Sequence, residues 1–209
     1  MMPDEPVLLG RIVRLQIQPE SLKQEIDGRK VYHPGGLQGV DSIRLTNTGA
    51  SALAANGEET LDVHNTTHPR SKHWGANWLS FGFTSHYAAM AREFGEHLTL
   101  GSAGENIIIE TESTITLAQV AGGIEIATAG GPAIIEKVVV AAPCAPFATY
   151  ALANPSAATT ALKTALQFLN HGTRGFYGIY PAAKSAHLRI GDAVYARSAV
   201  SVDGRDTAS

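Results

Sequence analysis

Cysteine is nearly absent from this sequence, since Cys144 is the only one among 209 residues. A single cysteine cannot form an internal disulfide, which excludes a disulfide-stabilised secreted domain. The first residues also lack the basic start and the apolar core of a secretory signal. We therefore expect a protein of the reducing cytoplasm.

Long apolar runs and an excess of positive charge are missing as well. No window approaches the roughly 20 uninterrupted apolar residues of a membrane helix, so no membrane partner is predicted. The formal net charge is -3 at pH 7, which gives no general reason to bind nucleic acid. Hydrophobic residues make up 44% of the chain, and the length predicts one domain over residues 1–209 with a disordered polar tail at 198–209.

Short strands separated by turn signals predominate. Residues 7–17 alternate between apolar and polar side chains, and Asp27-Gly28 is a strong hairpin-turn signal. Further strands are predicted at 42–46, 107–109, 115–117, 123–127, 133–140 and 175–180, with two more between 187 and 195. Such a pattern is typical of a β-barrel or sandwich.

Two segments have helical periodicity instead. Residues 85–98 carry apolar side chains at i, i+3 and i+4 spacing, with Ser85 available as the N-cap. Residues 156–169 show a leucine face and end before Gly172, which can cap the helix. The weakly patterned residues 49–59 are predicted as a loop or a short helix.

Cys144 ends an apolar run and lies between Pro143 and Pro146. The run predicts a buried strand that delivers the thiol to a rigid loop. A thiolate is the strongest nucleophile and the softest metal ligand of the chain. A buried cysteine that acts only as a small hydrophobe is the alternative.

Two glycine-containing segments could bind an anion. Arg174 is followed by Gly175 at the junction of a predicted helix and strand, where a guanidinium can hold a phosphate or carboxylate, or simply cap the helix. Residues 101–106 could present backbone N–H groups, but they lack a P-loop lysine and precede no helix. A tight turn is the alternative for this loop.

Residues 61–78 are unusually rich in ionisable and aromatic side chains for a connector. The group includes His64, His68 and His73, but Pro69 breaks the helix that would place the first two on one face. Polar residues that partly line a pocket are therefore favoured over a zinc site.

Four short motifs, in this order, resemble those of the MOSC domain, the molybdenum cofactor sulfurase C-terminal family. Residues 101–107 (GSAGENI) resemble its G-x-x-G-E-N motif, and Pro143-Cys144 resembles its Pro-Cys pair. Residues 174–178 (RGFYG) and 190–194 (IGDAV) resemble its Arg-x-Gly segment and its closing strand. The motifs extend over about residues 42–197.

The resemblance implies a mainly β, barrel-like fold with a few peripheral helices that binds the molybdenum cofactor, molybdopterin. It makes Cys144 the molybdenum ligand or sulfur carrier. Arg174, Asp62 and His64 would join Cys144 in catalysis. The residues implied in cofactor binding are Gly104, Glu105, Asn106, Arg174 and Arg70. Leu61 departs from the family, which has glycine at this position before the Asp-x-His element.

Three functions follow as hypotheses. The first is an oxidoreductase that reduces a small N-hydroxylated or N-oxide substrate with electrons from a partner protein, since the chain has no iron–sulfur, flavin or nicotinamide motif. The second is a persulfide carrier supplied by a cysteine desulfurase, because the chain has no pyridoxal-phosphate domain. The third is a non-catalytic binding module, which the change at Leu61 favours.

Overall fold

Seven strands close into a barrel in the part of the chain that the computed structural model describes, residues 6–53, 57–71 and 75–198. The strands are β1 (Val7–Ile17), β2 (Lys23–Ile26), β3 (Arg29–Tyr32), β4 (Gln38–Gly39), β5 (Ser42–Thr46), β6 (Gly49–Leu53), β7 (Glu59–Leu61), β8 (Leu79–Phe83), β9 (Ile107–Ile109), β10 (Ile124–Thr128), β11 (Gly131–Val140), β12 (Phe176–Ile179), β13 (Ala186–Arg189) and β14 (Ala193–Ala196). The α-helices are α1 (Thr84–Phe94), α2 (Leu117–Val120), α3 (Ala145–Ala151) and α4 (Thr159–Leu169), and Pro34–Gly36 form a 3-10 turn. The predicted mainly β barrel with a few helices is confirmed.

The barrel order is β14-β10-β11-β12-β8-β9-β1, and β14 pairs with β1 to close it. An odd number of strands cannot alternate in direction around a closed ring, so at least one neighbouring pair must be parallel. That pair is β8 and β9, and α1 forms the crossover between them. A four-stranded sheet, β13-β5-β6-β7, and the separate β2–β3 hairpin complete the fold.

Aromatic side chains fill the centre of the barrel. Phe81 and Phe83 point to the same side because alternate residues of a strand share a face, and both are 0% exposed. Their rings pack on Phe176 of β12 with centroid distances of 5.6 and 6.1 Å. Each such side chain contributes on the order of 2–3 kcal/mol through burial.

A second apolar cluster lies against the outside of the barrel. It joins Met90 of α1, Phe147 of α3 and Leu169 of α4. Tyr32, the last residue of the β2–β3 hairpin, belongs to it and packs edge-on against Phe147 with ring centroids 5.0 Å apart. This contact holds the hairpin over one side of the barrel.

The hairpin turn forms at the predicted dipeptide. Asp27 and Gly28 have φ values of 50° and 74°, the left-handed pair that a tight two-residue turn requires. Lys23 faces Tyr32 across the pair, and Glu25 faces Lys30.

Two local predictions are wrong. Residues 49–59, predicted as loop or helix, contain β6 and the start of β7, which pair with β5 and with each other. The small side chains of β6 are buried but carry almost no hydrophobic contrast, so its pattern is weak. Residues 115–117, predicted as a strand, lead into α2, because Thr116 and Gln119 form a capping box that starts a helix.

The helices differ from the prediction at both ends, since α1 ends at Phe94 rather than at 98 and the C-cap of α4 is Asn170 rather than Gly172. α1 begins at Thr84 with Phe83 at the N-cap, and the Ser85 hydroxyl instead lies 2.8 Å from the hydroxyl of Thr111. α3 was not predicted, because Pro143 and Pro146 indicate a loop. Proline is nonetheless favourable in the first turn of a helix, where Pro146 lies.

The predicted tail falls almost wholly outside the described residues, which end at 198. Within the described ranges, none of the helices has the length and apolar character needed to cross a membrane.

Candidate functional site

A cavity of about 800 Å³ lies between the β2–β3 hairpin and the barrel wall. Its lining comes from the hairpin, from residues 63–71, from the 103–105 loop and from the ends of β11 and β12. Four lining side chains are cationic, namely Lys23, Lys30, Arg70 and Arg174, whereas Glu105 is the acidic side chain found there in the described ranges. The cavity of a chain with net charge -3 is therefore lined by positive charge.

Cys144 does not line this cavity itself but packs against the second apolar cluster, which includes the cavity residue Tyr32. Cys144 follows β11 and occupies the N-cap position of α3, where the backbone is extended. The thiol is free and half-buried, and Ala141 of the same segment lines the cavity. Cys144 interacts electrostatically with Arg174 and Tyr32, so the structure brings the predicted thiol and arginine together.

Arg174 joins the cysteine segment to the glycine loop. Its guanidinium donates to the carbonyl oxygen of Ala103 at 3.1 Å and to that of Ala142 at 3.4 Å, and it lies 5.2 Å from the ring centroid of Phe147. Its buried Nε has no hydrogen-bond partner among the described residues. One N–H donor of a fixed cation is thus left for a further acceptor.

The charge of Arg174 is secured by its surroundings. Burial alone would lower its pKa, but the nearby Tyr177, Tyr32 and Cys144 outweigh that effect and raise the pKa above the ordinary value. The pKa of Tyr32 is raised mainly by burial, so its hydroxyl stays protonated and donates to the carbonyl oxygen of Ser102 at 2.9 Å. Arg174 therefore remains a cation beside the neutral phenol of Tyr32.

Glu105 is a buried carboxyl in the wall of the cavity. It is 3% exposed and accepts a hydrogen bond of 2.6 Å from the hydroxyl of Tyr87. Burial raises the pKa of Glu105, although Tyr87, its own backbone N–H and Arg174 act against the shift. The side chain fits because Gly82 and Gly175 lie against it, where a Cβ would come within 2.8 and 3.3 Å of its Oε1.

Asn106 acts on the site through other residues, because it is 1% exposed. Its amide donates to Asp62 at 2.7 Å, and its side-chain oxygen accepts from the backbone N–H of Ser80 at 3.0 Å. Gly104, by contrast, lines the cavity with φ at 95°, and a Cβ there would lie 3.0 Å from Leu22. Only the backbone of the loop is therefore open to a ligand at Gly104.

Asp62 and His64 form a fixed pair. Asp62 is 0% exposed, and its Oδ1 lies 2.9 Å from His64 Nδ1 while its Oδ2 accepts from the backbone N–H of Gln18 at 2.8 Å. Burial alone would raise the pKa of Asp62, but the hydrogen bonds from His64 and Gln18 outweigh it, so the pKa is lowered. The carboxylate therefore holds a proton on Nδ1 and directs the other ring nitrogen away from itself.

The departure at Leu61 does not prevent this pair. Leu61 ends β7 opposite Ser51, and the chain turns immediately after it so that Asp62 enters the buried network. His64 lines the cavity beside Tyr177, with ring centroids 6.1 Å apart.

Arg70 lies at the rim rather than with Arg174. It lines the cavity, but its side chain is 69% exposed and forms an ion pair of 3.1 Å with Glu20. The predicted residues therefore fall into three groups: Arg174, Gly104, His64 and Glu105 line the cavity with Cys144 near Arg174, Asp62 and Asn106 are buried behind them, and Arg70 lies at the mouth.

The sequence did not single out Lys23, Lys30, Tyr32 or Tyr177, all of which line the cavity. Tyr177 lies within the quoted 174–178 motif, and its neighbour Arg174 could have drawn attention to it. The hairpin signal at Asp27-Gly28 places Lys23 and Tyr32 on one face, but nothing local indicates that this face covers a cavity. Among the described residues, no group of three or more His, Cys, Asp and Glu side chains is arranged to hold a metal ion.

The fold defines a class: closed, mixed seven-stranded barrels with outer helices. Within it, the chain is similar to the YuaD protein of Bacillus subtilis, with a TM-score of 0.55 and 14% identity over 91% of this chain and 98% of the other. It is also similar to a hypothetical protein, with a TM-score of 0.54 and 20% identity over 93% of this chain and 71% of the other.

The YiiM protein of Geobacillus stearothermophilus matches with a TM-score of 0.49 and 15% identity, over 93% of this chain and 77% of the other. No protein-family model and no curated protein sequence matches the chain. At 14% and 20% identity, the likenesses to YuaD and to the hypothetical protein show a shared fold.

Proposed function

We propose that this chain is a MOSC-family protein that binds the molybdenum cofactor in the cationic cavity, with Cys144 as the molybdenum ligand. The observation that carries the proposal is the juxtaposition of the half-buried thiol with Arg174 at a cavity of about 800 Å³ in a chain of net charge -3. Soft thiolate suits molybdenum, and a fixed guanidinium suits the phosphate of the pterin.

The residues present fit such a group. Arg174 keeps a buried N–H without a partner among the described residues, and the backbone at Gly104 lines the cavity without a side chain. We assign Arg174 and the loop at Gly104 to the anionic part of the cofactor and Cys144 to the metal. Glu105 in the cavity wall and the buried Asn106 would position these groups.

When bound, the cofactor would supply a redox-active metal centre able to remove oxygen from a small N-hydroxylated or N-oxide compound. His64 would give or take the proton that this removal requires, through the ring nitrogen not held by Asp62. Asp62 is a positioning residue in this scheme, since it is fully buried. Electrons would come from a partner protein, and the reducing cytoplasm, which the single cysteine favours, is the proposed compartment.

Metal analysis tests the proposal. Protein purified from a host that makes the cofactor is expected to contain close to one molybdenum per chain, and Cys144→Ala less than about a tenth of that because the thiolate is the metal ligand. Cys144→Ser is the matched variant, since it keeps the size of the side chain and should also lose the metal. Wild-type protein without molybdenum, even after reconstitution with cofactor, would contradict the proposal.

A persulfide carrier is the second candidate, and the same thiol favours it. Cys144 is a free, half-buried thiol beside the Arg174 cation. The thiolate would attack the outer sulfur of a cysteine desulfurase persulfide, and the donor cysteine would leave as a thiolate. Mass spectrometry after incubation with a desulfurase and cysteine should then show one added sulfur on wild type and none on Cys144→Ser.

A further inference from the structure

The mouth of the cavity carries a second cationic feature that the proposed function does not use. The β2–β3 hairpin places Lys23 opposite Tyr32, and Lys30 two positions along from Tyr32 on the same strand. Residues two apart on a strand share a face, so Lys23, Lys30 and Tyr32 point to the same side. All three line the cavity.

The orientation of this face is fixed by Tyr32. Its ring is 4% exposed, its hydroxyl donates to the carbonyl oxygen of Ser102, and it packs against Phe147. Lys23 and Lys30 are diagonal neighbours in the register, about 7–8 Å apart at their Cα atoms. Two flexible ammonium groups at this separation can close on one anion.

The two ammonium groups have no ion-pair partner among the described residues. Glu25 faces Lys30 in the register but forms no ion pair with it. The other rim cation, Arg70, is already paired with Glu20, and Arg174 is bound to two carbonyl oxygens deeper in the cavity. Two cations without an ion-pair partner among the described residues thus lie at the mouth, apart from Arg174, with Glu25 as their carboxylate neighbour in the register.

We infer that Lys23 and Lys30 recognise an anionic group, a carboxylate or a phosphate, on the substrate itself. The substrate would be a small N-oxide or N-hydroxylated compound whose anionic end is held under the hairpin while its reactive end reaches towards His64 and Cys144. This inference rests on the proposed function for the reactive end, but the anion preference is a property of the hairpin.

Binding of two probes that differ only in charge tests it. Nicotinate N-oxide carries a carboxylate that pyridine N-oxide lacks, and both can be titrated calorimetrically at low ionic strength into cofactor-loaded and cofactor-free protein. Nicotinate N-oxide should bind about tenfold more tightly than pyridine N-oxide to both forms, the factor expected of two solvent-accessible charge contacts. The preference should shrink as salt is added.

The matched variants separate the hairpin from overall charge. Lys23→Gln with Lys30→Gln should reduce the tenfold preference to about onefold. Lys163→Gln with Lys184→Gln removes the same charge from exposed positions outside the cavity lining and should leave the preference intact. All four lysines are exposed, so both variants should fold, which melting curves check.

Equal affinity of wild type for the two probes, or no detectable binding of nicotinate N-oxide, would overturn the inference. The inference would also be overturned if the Lys23→Gln, Lys30→Gln protein still preferred nicotinate N-oxide. A preference that is lost in Arg174→Gln instead would be one such result. Failure of the proposed function is seen separately, as purified protein without molybdenum, and does not alter the ratio of the two affinities in cofactor-free protein.

Discussion

Arg174 shows how single side chains hold this site together. Its two carbonyl contacts fall on Ala103, one residue before Gly104, and on Ala142, two residues before Cys144. A shorter side chain could not reach both carbonyl oxygens, and a neutral side chain would place no charge beside the thiol. The residue therefore couples the position of the glycine loop to that of the cysteine.

Glu105 gives the site a pH-dependent stability. Because burial raises its folded-state pKa above the unfolded value of about 4.5, folding favours the protonated acid. Its contribution to stability is fully present below pH 4.5 and is lost as the pH rises through the folded pKa.

Glu105→Gln should remove this dependence, since the amide keeps an oxygen for Tyr87 and cannot ionise. We expect the variant to become more stable relative to wild type as the pH rises above 4.5 and through the folded pKa of Glu105. Urea unfolding at a series of pH values measures the difference. Glu96→Gln, at an exposed position, is the control and should follow wild type. A Glu105→Gln curve parallel to that of wild type would show that Glu105 does not have a raised pKa.

At the scale of elements, the turn between α4 and β12 decides where Arg174 lies. Gly175 has φ at 112°, and a Cβ there would come within 2.7 Å of the carbonyl oxygen of Phe81 in β8. The backbone of the turn thus packs directly on the barrel, and Gly175 accepts a hydrogen bond from Ala141 at 3.0 Å.

Gly175→Ala should therefore cost stability by two routes, backbone strain and a collision with β8. Gly191 is the matched control, because its φ is 92° but no atom lies within 4 Å of the Cβ position. We expect Gly191→Ala to lose about 1–2 kcal/mol and Gly175→Ala about 3 kcal/mol or more. Denaturant unfolding compares the two, and equal losses would mean that the close approach to Phe81 does not matter.

At the scale of the whole molecule, the cavity lies between parts of unequal stability. The barrel strands are paired on both sides, whereas β2 and β3 pair only with each other among the described strands. The hairpin depends on Tyr32 and its contacts with Phe147 and Tyr150 of α3. An isolated two-stranded ribbon is marginally stable by itself.

Amide hydrogen exchange should show this difference. We expect the amides of β2 and β3 to exchange at least about 100-fold faster than those of β8, β9 and β12, because opening the hairpin leaves the barrel closed. Binding of an anionic ligand should slow exchange in the hairpin selectively. Equal protection of hairpin and barrel in the free protein would show that they open as one unit.

The sequence by itself determined much of the local structure. Alternation of apolar and polar residues at 7–17 predicted the long β1 strand, Asp27-Gly28 predicted the hairpin turn, and the spacing of leucines predicted α4. Sequence patterns did not predict β6, because its small side chains show little alternation between apolar and polar residues. They did not predict α3 either, because proline starts this helix instead of ending it. Strands, turns and helices depend on a few neighbouring residues, which is why local sequence patterns predict most of them.

Only the tertiary structure decided which residues meet. Barrel closure pairs β1 with β14, and the bond from Arg174 to Ala103 joins residues 71 positions apart. The proximity of Cys144 to Arg174, the burial of Asp62 and Asn106, and the lysine face over the cavity follow from such long-range pairings. No period of two or of 3.6 residues encodes them, because they are set by the packing of whole strands and helices against one another.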